Sequence, residues 1–160
     1  EFIRHPGSKI RLAIPELLQQ LGELGTDHAV TSEEFPFVLM AGERRSYNAN
    51  TIYRDPAWRK TDREGSMRMH PDDAERLGIS EGDRVAVHSR SGAVEVMVQH
   101  DACILPGVLS LPHGYGLAYP DGDTRKVTGP RINELTSADH CDSISKTPFH
   151  KTVPVRVALL

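Results

Sequence analysis

Valines at positions 85 and 87, and again at 94, 96 and 98, recur at period two, on either side of a Ser91-Gly92 pair. The alternation predicts two strands over 84–89 and 93–98, joined by a glycine turn and burying one face. Just upstream, Pro71-Asp72-Asp73-Ala74-Glu75-Arg76-Leu77-Gly78 carries the marks of a short helix. Proline sits in the first turn, acids follow at the positive end of the helix dipole, and glycine marks the stop. Neither Asp72 nor Asp73 then needs a catalytic role. Ile104-Leu105-Pro106-Gly107 reads as a turn and 108–111 as a further strand. Residues 69–111 thus encode a helix, a tight Glu81-Gly82-Asp83 loop, a hairpin and a third strand, enough for much of a small barrel. His88 and His100 fall on outward-facing strand positions.

Outside this stretch the pattern is sparser. Over 11–25, Ile14, Leu17, Leu18, Leu21 and Leu24 recur at the spacing of one helical face. Pro15 suits the first turn and Gly25 the stop, although Gly22 weakens the last turn. A polar linker, 26–34, follows. Residues 35–41, Phe-Pro-Phe-Val-Leu-Met-Ala, form a continuous apolar run that predicts a buried strand. It breaks into a loop, GERRSYNANTIYRDP. Such residues suit a solvated surface loop. They equally suit a binding loop, in which Gly42 admits a ligand close to the backbone, arginine forks meet phosphate oxygens, and asparagine amides meet a heterocycle's edge. Residues 55–66 read as a polar loop with Trp58 as a packing residue. A strand over 153–159 closes the chain.

Composition narrows the class without naming a function. Hydrophobic residues make up 38% and charged residues 26% of 160, with 13 Gly and 11 Pro, which favours one domain built of short strands and turns. A net charge of -3 gives no global reason to bind nucleic acid or an anionic membrane, and no apolar run approaches a bilayer span. A local basic cluster remains: Arg44 and Arg45, with Arg54, Arg59, Lys60 and Arg63 nearby. Cys103 and Cys141 lack metal-ligand or redox spacing and imply no disulfide framework. Asp121-Gly122-Asp123 resembles the start of a calcium loop but lacks the later oxygen ligands, so no metal is assigned there. The stretch 121–129 reads as a polar loop. Asn133-Glu134-Leu135-Thr136 reads as a turn or cap whose side chains bond the local backbone. The chain opens on Glu1-Phe2, with no signal-peptide pattern, which suggests a piece of a longer polypeptide.

Taken together, FVLMAGERRSYNANTIYR, then MHPDDAERLGISEGDRVAVHSRSGAVEVMVQHDACILPGVLSLPHG, then NELT, DSISKTPFHK and VPVRV resemble a known family in content and order. They are similar to the C-terminal molybdopterin dinucleotide-binding domain of the molybdopterin oxidoreductases, the group of formate dehydrogenases, nitrate reductases and dimethyl sulfoxide reductase. The barrel segment alone is shared with other double-psi barrels; its conjunction with NELT and SKTPFHK makes the match specific. The resemblance implies a mainly β fold, a six-stranded double-psi β-barrel (aspartate decarboxylase-like) with short helices. It places an N-terminal helix and linker, the remnant of a preceding domain, at 1–34 and the barrel domain at 35–160.

The family's cofactor is a bis(molybdopterin guanine dinucleotide) carrying Mo or W, so the resemblance implies a domain that binds and caps it. The segment would be part of an enzyme while holding no catalytic residue and no metal ligand. Iron–sulfur ligands would lie only in the missing N-terminal part, and the partners would be the remaining domains of the same protein. Carried over by motif, the cofactor contacts would be Ala41, Gly42, Glu43, Arg44, Arg45, Tyr47, Asn48, Asn50 and Thr51 in the first loop. His113 and Gly114 would follow after the third core strand, then Asn133, Thr136 and Lys151. Many relatives have Gly-Arg after the first strand where this chain has Gly42-Glu43-Arg44. An acid beside phosphate is repulsive, so Glu43 is expected either to point away or to accept from a guanine or pterin N–H. Two other readings compete. A stand-alone double-psi barrel serving as a protein- or peptide-interaction module leaves NELT and the first loop unexplained. A self-processing decarboxylase needs a Gly-Ser cleavage site, and the context of Gly65-Ser66 does not match one. The compartment expected is the cytoplasm, with the periplasm as the alternative.

Overall fold

The computed structural model describes residues 7, 9–10, 12–23, 30–43, 59 and 61–160. Among them are the strands β1 (Phe37–Glu43), β2 (Met67–Met69), β3 (Arg84–His88), β4 (Ala93–His100), β5 (Val108–Pro112), β6 (Leu117–Asp121), β7 (Thr124–Thr128) and β8 (Val153–Leu159). Two short α-helices, α1 (Pro15–Gly22) and α2 (Pro71–Leu77), and a 3-10 helix at Ile132–Leu135 complete the elements.

Six strands close into a barrel in the order β1-β5-β2-β4-β3-β8. β1 runs parallel to β5 and β2 parallel to β4; the other neighbours are antiparallel. This is the double-psi arrangement. The interior follows from period two: Val85, Val87, Val94, Val96 and Val98 are buried, as are Leu109 and Leu111 of β5 and Phe37, Leu39 and Ala41 of β1. Alternate residues such as Met40, Arg68 and Gln99 face outward.

Tracing strand directions round the barrel gives each end its own set of connections. The C-terminal ends of β1, β3 and β5 and the N-terminal ends of β2, β4 and β8 lie at one rim, here the upper rim. It receives the segments 61–66, 89–92 and 113–152. The lower rim receives 70–83 and 101–107.

At the lower rim, α2 is capped at both ends and tied to the barrel. His70 caps α2, its Nδ1 accepting from the Asp72 amide at 3.1 Å, and Gly78 ends the helix at φ 68°. Asp73 is buried. One carboxylate oxygen accepts from Arg76 at 2.6 Å and the other from the Gly107 amide at 2.6 Å, which ties α2 to the turn before β5. α1 buries none of its residues, and Leu17, Leu18 and Leu21 remain exposed.

Two elements depart from the sequence reading. Met67–Met69 is a strand, too short to show any periodicity, wedged between β4 and β5. The stretch expected to be a polar loop over 121–129 instead closes a hairpin, β6–β7, around Gly122 at φ 60°. The two-residue loop is Gly122-Asp123, with glycine first, which is a recognised hairpin signal. It was masked because Thr124 to Val127 are all exposed and carry no apolar alternation.

Candidate functional site

The barrel topology brings the candidate segments to one place. β1 and β5 are parallel neighbours, with Ala41 paired to Leu111 and Glu43 to Pro112. Gly42-Glu43 and His113-Gly114 therefore leave the upper rim side by side. β8 runs antiparallel to β1, so the residues before it return to the same corner: the Ala41 amide donates to the His150 carbonyl at 2.9 Å, and Lys151 Nζ donates to the Gly42 carbonyl at 3.2 Å. Gly42 has φ +82°, a conformation that a side chain would strain. The 3-10 helix holding Asn133 sits over the β3–β4 turn so closely that a Cβ on Gly92 would lie 2.7 Å from the Glu134 carbonyl oxygen. Asn133 is exposed, and the Thr136 hydroxyl donates to its carbonyl at 3.4 Å, the local backbone bond expected of this motif.

Glu43 resolves the awkward acid. A bulge after Ala41 turns it outward, where Ser110 Oγ donates to Oε2 at 2.8 Å and Arg68 Nη1 lies 3.2 Å from Oε1. Arg68 also reaches Asp101 at 3.3 Å. The carboxylate is thereby neutralised against the barrel wall. Arg44, Arg45, Tyr47, Asn48, Asn50 and Thr51 lie outside the described residues.

The approach to Lys151 is itself a built turn. Asp142 accepts from the amides of Ser145 at 2.6 Å and Ile144 at 3.1 Å, and a bridge pairs Cys141 with Pro148. The Ser145 amide, followed by the Ser145 hydroxyl, holds the Asp142 carboxyl below its ordinary value. A carboxyl lowered in the folded state stabilises it above the unfolded pKa, and that contribution is lost as pH falls through the folded value. Amide exchange over 142–147 is therefore expected to quicken, relative to the barrel strands, when pH drops below the ordinary aspartate range. Asp142→Asn should abolish the pH dependence.

Sequence reasoning missed one part of the rim. Arg59 was grouped only with a local basic cluster, and it is 1% exposed. Its guanidinium lies 4.4 Å from the centroid of the Tyr115 ring and 5.7 Å from that of Tyr119. It donates to the carbonyls of Arg63 (2.9 Å) and Gly114 (3.3 Å) and to Tyr119 Oη (3.0 Å). Its partners are up to 60 residues away along the chain, so no local pattern could expose the contact. The Tyr115/Tyr119 pair within a glycine-rich stretch was the nearest signal. Among the described residues no group of His, Cys, Asp and Glu could hold a metal ion, and no helix is long and apolar enough to cross a membrane.

A family profile described as "Molydopterin dinucleotide binding domain" matches residues 37–154, from the start of β1 into β8. The chain belongs to that family. This molybdopterin dinucleotide-binding domain is 29% identical over 84 residues to the acetylene hydratase of Syntrophotalea acetylenica, covering 52% of the chain and 12% of that protein. It is 30% identical over 125 residues to the molybdopterin-containing subunit of the arsenate respiratory reductase of Chrysiogenes arsenatis, covering 68% of the chain and 14% of that protein. The fold matches the solved structure of acetylene hydratase from Pelobacter acetylenicus with a TM-score of 0.69 at 21% identity, over 80% of this chain and 19% of that one. The domain thus spans a small fraction of the relatives it matches. It is of the type found in larger, multi-domain molybdoenzymes.

Proposed function

We propose that the upper rim binds and caps a molybdopterin guanine dinucleotide carrying Mo or W, within a larger oxidoreductase whose other domains supply the metal ligand and the substrate path. The observation that carries this is the convergence at one rim of Gly42, His113-Gly114, Asn133-Thr136 and Lys151, while the histidine and acids of 70–83 face the other end. The donor set suits a pterin dinucleotide. Glycines at φ +82° and +91° leave backbone open to close approach. The Lys151 ammonium offers charge to a pyrophosphate, and the exposed Asn133 amide both donates and accepts at a ring edge. With Glu43 engaged by Arg68 and Ser110, its charge is balanced beside an anion. When bound, the group supplies the redox chemistry of its metal. The chain's own residues bind it, orient it and shield it from water, and the isolated segment performs no turnover.

The test is chemical identification of what the full-length protein holds. Acid release from the purified protein, followed by mass spectrometry and elemental analysis, should give a pterin, guanine nucleotide, and Mo or W. A protein purified intact under conditions that retain cofactor in its relatives, yet yielding no pterin, would refute the reading. A different nucleotide would refute only the guanine assignment.

A further inference from the structure

We infer that Arg59 is a positioning residue for the cofactor-facing turn at 113–116, acting as a clamp on the Gly114 carbonyl. The inference rests on the reading of the upper rim as the dinucleotide site. β1 and β5, the parallel pair, end alike. Each runs into a glycine at positive φ, Gly42 at +82° and Gly114 at +91°. Each glycine's carbonyl is held by a cation from a distant segment, Gly42 by Lys151 at 3.2 Å and Gly114 by Arg59 at 3.3 Å. Lys151 is exposed, whereas Arg59 is sealed in.

A buried guanidinium is costly unless compensated. No carboxylate pairs with Arg59 among the described residues, and its Nε has no hydrogen-bond partner there. Two tyrosine faces, two carbonyls and a hydroxyl offset the cost only in part, and an apolar side chain of similar volume would fill the space without it. What an apolar residue could not do is fix a peptide plane. All described peptides are trans, and across a trans peptide the C=O and the following N–H point in opposite directions. Holding the Gly114 carbonyl inward therefore turns the Tyr115 N–H away from the cage. Without a side chain to restrain it, glycine leaves that plane free to rotate. Arg59 also donates to the Arg63 carbonyl, and Arg63 Nε donates back to the Arg59 carbonyl at 3.2 Å, so the clamp is locked to the segment leading into β2.

The experiment uses the full-length protein, with and without cofactor, and two readouts: local amide exchange in the cofactor-free form, and pterin content as isolated. Arg59→Met should quicken exchange over 113–116 about tenfold, the scale of losing a charged hydrogen bond, with 84–98 unchanged. Pterin content should fall about fivefold or more. Arg59→Lys, which keeps the charge and loses the fork, should fall between. Tyr119→Phe removes a cage contact that does not touch Gly114 and should leave both readouts near wild type. Wild-type exchange at 113–116 in Arg59→Met, acceleration shared equally by 84–98, or a Tyr119→Phe effect as large as that of Arg59→Met would overturn the clamp. Local loosening with undiminished pterin content would overturn its role toward the cofactor. If Arg59→Met does not accumulate as folded protein, Arg59→Lys decides: acceleration confined to 113–116 supports the clamp, and wild-type or uniform exchange overturns it. A wild-type protein without pterin would defeat the proposed function, and the exchange data would still judge the clamp.

Discussion

Replacing Gly129 by alanine is expected to destabilise the domain by about 3 kcal/mol or more, combining backbone strain with overpacking. Gly129 has φ +80°, and a Cβ there would lie 2.1 Å from the Glu64 carbonyl oxygen and 2.9 Å from Tyr115 Cβ. The new Cβ would meet backbone and a Cβ, neither of which a rotamer change can move. Gly82 makes the control: its φ is +86°, and a Cβ there would meet nothing within 4 Å. Gly82→Ala should show the conformational cost alone, about 1 kcal/mol. Denaturant unfolding monitored by circular dichroism measures both. Equal losses in the two variants would mean that the 64–65 and 128–129 segments are not packed as described.

The second large effect is on cofactor retention. Lys151→Met in the full-length protein should lower pterin and metal content by about tenfold or more, the scale of a charge-assisted hydrogen bond to phosphate. Lys151 is exposed, and among the described residues its side chain makes one hydrogen bond, to the Gly42 carbonyl, so unfolding should stay near wild type. Lys151→Arg keeps the charge and should retain most of the cofactor. Normal metal and pterin content in Lys151→Met would remove Lys151 from the site.

How legible these features were depended on whether their cause was local. The β3–β4 hairpin, α2 and its Gly78 stop, and the buried run of β1 each rest on a pattern within a short stretch of chain, and each formed where the pattern lies. β1 extends two residues beyond the apolar run because its pairing with β5 continues past the bulge at Ala41. β2 exists only through its neighbours and had no pattern of its own. The candidate segments were named by motif, whereas their meeting at one rim follows from strand directions that no local spacing encodes. Glu43 shows the limit most plainly. The sequence posed an acid beside a phosphate loop as a conflict, and the answer lay in Arg68 and Ser110, 25 and 67 positions further along the chain. The burial of Arg59 was illegible for the same reason. Charge predicts exposure on average, and only its distant tyrosines and carbonyls make burial tolerable.

One rim of the barrel is expected to hold the dinucleotide and the other to stay free of it. Hydrogen exchange of the full-length protein, compared between cofactor-loaded and cofactor-free forms, addresses it directly. Loaded protein should be protected at 41–43, 113–116, 133–136 and 148–151, and unchanged at 70–83 and 101–107. Protection at the lower rim, or equal exchange at both rims in the two forms, would contradict the account.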